Sequence, residues 1–196
     1  MNRVFCIIGK SASGKDKLYA RLMERDDISL KHVVMYTTRP IRDKEQNGRE
    51  YFFTTEEDFR KALDADRVIE YRVYDTYYGK WYYYTLDDGQ IDLESGSYLM
   101  IGTLETYAAI RDRFGAENVV PLYIEVEDGE RLMRAILREK KQHTPKYEEM
   151  CRRFLADQED FSEEKIAAAG ITKRFENREG EMDRCLAELA AYIHVF

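Results

Sequence analysis

Gly9-Lys10-Ser11-Ala12-Ser13-Gly14-Lys15-Asp16 follows the apolar run Val4-Phe5-Cys6-Ile7-Ile8 and leads into a stretch with Leu18 and Leu22 on one helical face. The spacing is G-x-x-x-x-G-K. A buried strand, a glycine loop and a helix start are the context in which that spacing binds phosphate. Gly9 and Gly14 let the backbone wrap closely, so that its N–H groups converge on phosphate oxygens, with Ser11 and Ser13 in the same loop. The helix starting near Lys15 adds the positive end of its dipole, and Lys15 can reach the β- and γ-phosphates as a point charge. Asp16 stands where Ser or Thr is usual. Its carboxylate can ligate Mg²⁺ directly or through water, or it can simply favour the first turn of the helix. The two roles are compatible.

Outward from the loop, strand patterns alternate with helix patterns. Strands are expected over 32–35, 98–101, 119–124 and 171–175, and helices over 15–23, 104–114, 128–140, from 147, and over 180–193. This alternation predicts an α/β fold with a parallel sheet flanked by helices. Residues 36–96 read differently: polar, tyrosine-rich and irregular, with one helix over 55–65. They are expected to be a lobe inserted into a core of 1–35 and 97–196. A length of 196 residues suits a single domain.

A net charge of −7 argues against a nucleic-acid partner, though clustered basic residues can still hold a small anion. The three cysteines, Cys6, Cys151 and Cys185, have no metal-binding spacing and suit reduced thiols in a cytoplasmic protein. The short apolar run before Gly9 reads as neither a signal peptide nor a membrane span.

The segment Thr37-Thr38-Arg39-Pro40-Ile41-Arg42, then Asn47-Gly48-Arg49-Glu50-Tyr51-Phe52-Phe53, resembles the guanylate kinase pattern T-T-R-x-x-R followed by D/E-Y-x-F. Val68-Ile69-Glu70-Tyr71 is similar to that family's F-x-E-W/Y, and Tyr77-Tyr78-Gly79 to its Y-Y-G, with one residue fewer between Glu70 and Tyr77 than expected. Each piece alone is weak, but in this order after a phosphate loop they are strong. The resemblance implies transfer of the γ-phosphoryl group of ATP to GMP with Mg²⁺, by a monomer or homodimer. It further implies that Arg39, Arg42, Tyr51 and Tyr78 hold the acceptor phosphate and that Glu70 reads the base. A lid over about 138–153 would bring Arg138 and Arg153 onto the transferring phosphoryl group. Gln142 falls where a third family arginine stands, beside Lys140 and Lys141, and Asn177 falls near the ATP base. Two arginines three apart on an extended segment are sensible phosphate ligands, since guanidinium groups bond phosphate in a bidentate way.

The departures concern the base. A D-x-D pair is replaced by Met100 and Gly102, a serine by Met35, and the Ser or Thr after Y-Y-G by Lys80. Glu70 alone remains of that polar set, so selectivity for GMP is expected to be reduced, and an acid restored at Gly102 to raise it. A same-fold kinase with another phosphorylated acceptor, such as ribose 1,5-bisphosphate, is the second reading. It rests on the G-K-D loop ending and on Ile101-Gly102-Thr103. A non-catalytic binding module is the third, with the aromatics of 77–84 as its interface.

Overall fold

The apolar run is strand β1 (Val4–Ile8), and all of it is buried. In the computed structural model, which describes residues 1–41, 45–76 and 79–196, β1 is the middle of a five-stranded sheet. Its neighbours are β7 (Ser97–Gly102) and β8 (Val119–Glu125), with β2 (Leu30–His32) and β9 (Arg174–Glu176) outside them. All four pairings are parallel. Because a strand alternates faces, Val4, Cys6 and Ile8 point into one apolar layer and Phe5 and Ile7 into the other. Helix α3 (Leu104–Phe114) covers the first layer, and α1 (Lys15–Met23) and α7 (Met182–Ile193) cover the second. Burial on both faces explains why the central strands are nearly continuous apolar runs.

The expected strand over 32–35 is displaced. Pairing with β7 spans Leu30 to His32, Val33 N–H still donates to the Leu99 carbonyl, and beyond Val33 the chain leaves the sheet. Val33 and Val34 are buried all the same. Their apolar character reports burial rather than sheet pairing.

The block 36–96 is more ordered than its composition suggests. It holds a second sheet in the order β4 (Phe52–Phe53), β3 (Tyr36–Thr37), β6 (Gly79–Leu86), β5 (Val68–Thr76). The long antiparallel pair β5–β6 dominates it. Helix α2 (Glu56–Asp64) packs Phe59 against Tyr82 and Tyr84. Thr55 and Asp58 form a reciprocal capping box at its start. The pairing register shifts between Val68 and Glu70, so a bulge interrupts the alternation of β5.

Helices α4 (Asp128–Glu139) and α5 (Tyr147–Asp160) pack together, and a short α6 (Glu163–Ala168) follows. The charged stretch from 147 is therefore two helices rather than one. No helix among the described residues is long and apolar enough to cross a membrane.

Candidate active site

The glycine loop sits between β1 and α1, as its spacing requires. Gly14 has φ +87° at the N-terminus of α1, a left-handed conformation that favours glycine, and a Cβ there would stand 2.5 Å from Asn177 Nδ2. Gly9 is held by proximity: a Cβ would lie 2.6 Å from the Ile124 carbonyl oxygen of β8. Ala12, at φ +64°, also turns left-handed.

The loop is gripped from three sides. Asn177, almost wholly buried, donates its Nδ2 to the Ser13 carbonyl at 2.7 Å. Resemblance alone associates Asn177 with the ATP base, whereas its contact here is with the loop backbone. The Asp157 carboxylate on α5 accepts from the Ser11 backbone N–H at 2.8 Å and from the Ser11 hydroxyl at 3.3 Å. Arg131, 1% exposed, donates to the Ser11 carbonyl at 3.1 Å and to Asp157 at 2.9 Å, and it also bonds Asp128. Sequence reasoning missed Asp157 and Arg131, which meet the loop from 120 to 146 positions away with no local signal.

Lys15 points back under the loop, 3.5 Å from the Lys10 carbonyl oxygen. Burial holds its ammonium pKa below that of an ordinary lysine. Asp16 and Asp157 oppose that shift, and Arg153 and Arg138 add to it. The two arginines expected at the transferring phosphoryl group are thus electrostatic neighbours of Lys15. Arg153 also donates to the Ser11 hydroxyl at 3.3 Å.

On the lobe side, Arg39 is buried and forms a two-point ion pair with Glu45, at 2.7 and 2.6 Å. Its guanidinium lies 5.2 Å from the ring centres of both Tyr51 and Phe53. Burial pushes the Tyr51 phenol up. Tyr83 adds to that shift, Arg72 and Arg39 reduce it, and Asp16 raises it further. Tyr51 is therefore within electrostatic range of the phosphate loop. Arg42, Tyr77 and Tyr78 lie outside the described residues.

Glu70 accepts from the Thr85 hydroxyl at 2.8 Å through one carboxylate oxygen. The other oxygen lies 3.5 Å from Arg72 Nε, and both of these atoms are buried without a hydrogen bond. Met100 and Gly102 are buried in β7 beside β1. A Cβ at Gly102 would stand 3.0 Å from Cys6 Sγ and from two Thr106 carbon atoms, so a larger residue here fits only if those side chains give way.

Among the described residues no three His, Cys, Asp or Glu side chains gather as a metal cluster. Asp16 is an exposed carboxylate next to Lys15. One carboxylate is enough for Mg²⁺, which is commonly held by one or two carboxylates together with substrate phosphates and water.

A parallel sheet whose central strand runs into a glycine loop and a helix N-terminus defines the phosphate-loop class of α/β proteins. The guanylate kinase family model matches residues 1–84. A guanylate kinase from Caldanaerobacter subterraneus is 30% identical over 157 residues, covering 80% of this chain and 72% of that protein. The chain belongs to the guanylate kinase family. The guanylate kinase of Porphyromonas gingivalis is 38% identical over 81 residues, 40% of this chain. The match spans 43% of the length of that relative and 64% of one from Campylobacter jejuni. In fold, the chain is similar to the crystal structure of guanylate kinase from Anaplasma phagocytophilum, with a TM-score of 0.59 and 17% identity. That likeness covers 99% of this chain and 85% of the other.

Proposed function

We propose that the protein is an ATP-dependent phosphotransferase that moves the γ-phosphoryl group of ATP to GMP, giving ADP and GDP. The observation that carries this reading is the convergence on Lys15: a glycine loop at a helix start, with Arg153 and Arg138 acting on the same ammonium group. Phosphoryl transfer needs positioning and positive charge more than covalent chemistry, and this is what the cluster offers. In the reaction the bond from the γ-phosphorus to the bridging oxygen breaks, and a bond to an acceptor phosphate oxygen forms.

In this reading Gly9, Ser11, Ser13, Gly14 and Lys15 cradle the ATP phosphates. Arg39, Arg42, Tyr51 and Tyr78 hold the acceptor phosphate, and Glu70 reads the base. Residues 36–96 serve as the acceptor lobe, and the segment over about 138–153 closes over the site. Asp16 holds Mg²⁺, which when bound offsets the charge on the phosphates. Ser11 N–H is occupied by Asp157, so a phosphate oxygen arriving there replaces one anion with another. Reduced cysteines and cytoplasmic residence accord with this role.

The test is a coupled ADP-release assay with ATP, Mg²⁺ and a panel of nucleoside monophosphates plus ribose 1,5-bisphosphate. Release with GMP above the other acceptors is expected. Release with the sugar phosphate alone would transfer the reading to another acceptor, and release with none would make the protein a binding module.

A further inference from the structure

In the acceptor lobe, two charged side chains form a loose, largely buried ion pair. The bulge between Val68 and Glu70 changes which face each residue of β5 presents. Val68 before it and Tyr71 after it pack toward Phe59 on the α2 side. Ile69 packs against the core layer that contains Cys6 and Met100, and Glu70 is near the Cys6 thiol, whose pKa its charge helps to raise. Arg72, two residues on, shares the Glu70 face, and its charge acts on Cys6 and on Tyr51. The side chains of Glu70 and Arg72 are 8% and 17% exposed. One carboxylate oxygen of Glu70 and the Nε of Arg72 are 3.5 Å apart, both buried and neither hydrogen-bonded. The two atoms pair with each other as ions at the outer limit of hydrogen-bond distance, and buried polar atoms ordinarily make hydrogen bonds, so the pair keeps bonding capacity that the polar edge of a ligand would use.

We propose that Arg72 is a second base-reading residue, donating to O6 of the guanine whose N1–H and exocyclic amine are accepted by Glu70. This rests on the phosphotransferase reading above and names the residue that fills the gap left at Met35, Met100 and Gly102. Guanine presents a donor, N1–H, beside an acceptor, O6, and a carboxylate beside a guanidinium is the complement of that edge. Adenine presents the reverse, an N1 lone pair beside an amine. It would set a lone pair against Glu70 and a donor against Arg72, leaving buried groups unsatisfied. An acceptor with a second phosphate in place of the base would suit Arg72 but place its charge against the Glu70 carboxylate. The surroundings are apolar, with partly buried Ile69 packed over the wholly buried Cys6 and Met100, and they suit a flat base better than an anion.

The experiment compares kcat/KM for GMP, 6-thio-GMP and IMP in the parent, Arg72→Ala and Arg72→Lys. Sulfur at position 6 is a poor acceptor, so the first ratio reads the O6 contact. IMP lacks the amine, so the second ratio reads Glu70. The parent should favour GMP over 6-thio-GMP by about ten-fold or more, the discrimination of a well-made guanidinium–guanine contact. In Arg72→Ala that preference should collapse toward one while the GMP-to-IMP ratio holds, and Arg72→Lys should fall between. A parent that does not distinguish GMP from 6-thio-GMP overturns the proposal whether or not the variants fold. So does a folded Arg72→Ala that keeps the parent's ratio, since Arg72 would then only steady Glu70. No turnover of any nucleoside monophosphate by the parent would instead overturn the phosphotransferase reading, and this inference with it.

Discussion

The phosphate loop and the acceptor lobe differ in how their polar groups are partnered. At the loop, Ser11 N–H, the Ser11 carbonyl and the Ser13 carbonyl are bonded to Asp157, Arg131 and Asn177, while the Ser13 hydroxyl and the Asn177 side-chain oxygen are buried without a hydrogen bond. In the lobe, Glu70 and Arg72 meet at 3.5 Å and leave two buried atoms without hydrogen bonds. A site partnered from within keeps its shape without ligand, and a ligand must displace something to enter. A buried ion pair short of hydrogen bonds discriminates sharply, because a wrong ligand leaves its groups unmatched. Damage at the loop should therefore appear mainly as lost stability, and damage in the lobe as lost selectivity.

Lys15→Ala tests the sharpest exception, a loop residue whose loss should spare the fold. Its ammonium makes one long contact to a loop carbonyl and carries a burial cost that the nearby Asp16 and Asp157 only partly offset, so its removal relieves a desolvated charge as it removes that support. Turnover should fall by about a thousand-fold, as for loss of a charge that stabilises the transition state, with an unchanged thermal midpoint. Near-normal turnover would remove the loop from the chemistry.

Arg131→Ala should show the loop's dependence on internal pairing. The side chain is buried between Asp128 and Asp157, and breaking such a network costs about 3–5 kcal/mol. A urea titration should show the midpoint fall accordingly; a shift under about 0.5 kcal/mol, typical of a surface site, would mean that the pairing contributes little.

Gly102→Asp moves the comparison to the lobe-facing end of the core sheet. An acid here was expected to sharpen base selectivity. The 3.0 Å clearances to Cys6 and Thr106 instead predict overpacking, with a loss of about 1–3 kcal/mol and no gain in the GMP-to-AMP ratio. A stable variant with raised selectivity would restore the sequence-based expectation.

Asp16 carries the smallest effect. Asp16→Ala should weaken the apparent Mg²⁺ affinity by about ten-fold, roughly the strength of one lost charged contact, and Asp16→Ser should recover it. Identical Mg²⁺ titrations for parent and Asp16→Ala would leave Asp16 as a helix-start residue.

Much of this was legible in the sequence where local chemistry decides the outcome. The runs at β1, β7 and β8 are apolar because both faces are covered, and α1 and α3 begin and end where their residue patterns place them. The β5–β6 pair was obscured for a physical reason. The bulge at Val68 to Glu70 breaks the two-residue alternation, and tyrosines that are part apolar and part polar hide which face is buried. Arg131 and Asp157 were invisible, and Asn177 was placed near the ATP base rather than on the loop backbone, because each acts on a loop more than a hundred positions away. Arg72 was hidden with that strand: its two-residue spacing from Glu70 places both on one face only once 68–76 is known to be a strand.

The bond from Asn177 to the Ser13 carbonyl has a consequence for synthesis on the ribosome. It joins positions 164 apart, and β9, which carries the chain to Asn177, is made after every other strand among the described residues. The glycine loop is made well before β9 yet lacks this clamp until Asn177 has been translated. At about 5–20 residues per second, the nascent loop waits on the order of ten to thirty seconds in an unclamped form. A nascent chain stalled before residue 174 would carry the whole glycine-loop motif but should hold nucleotide poorly.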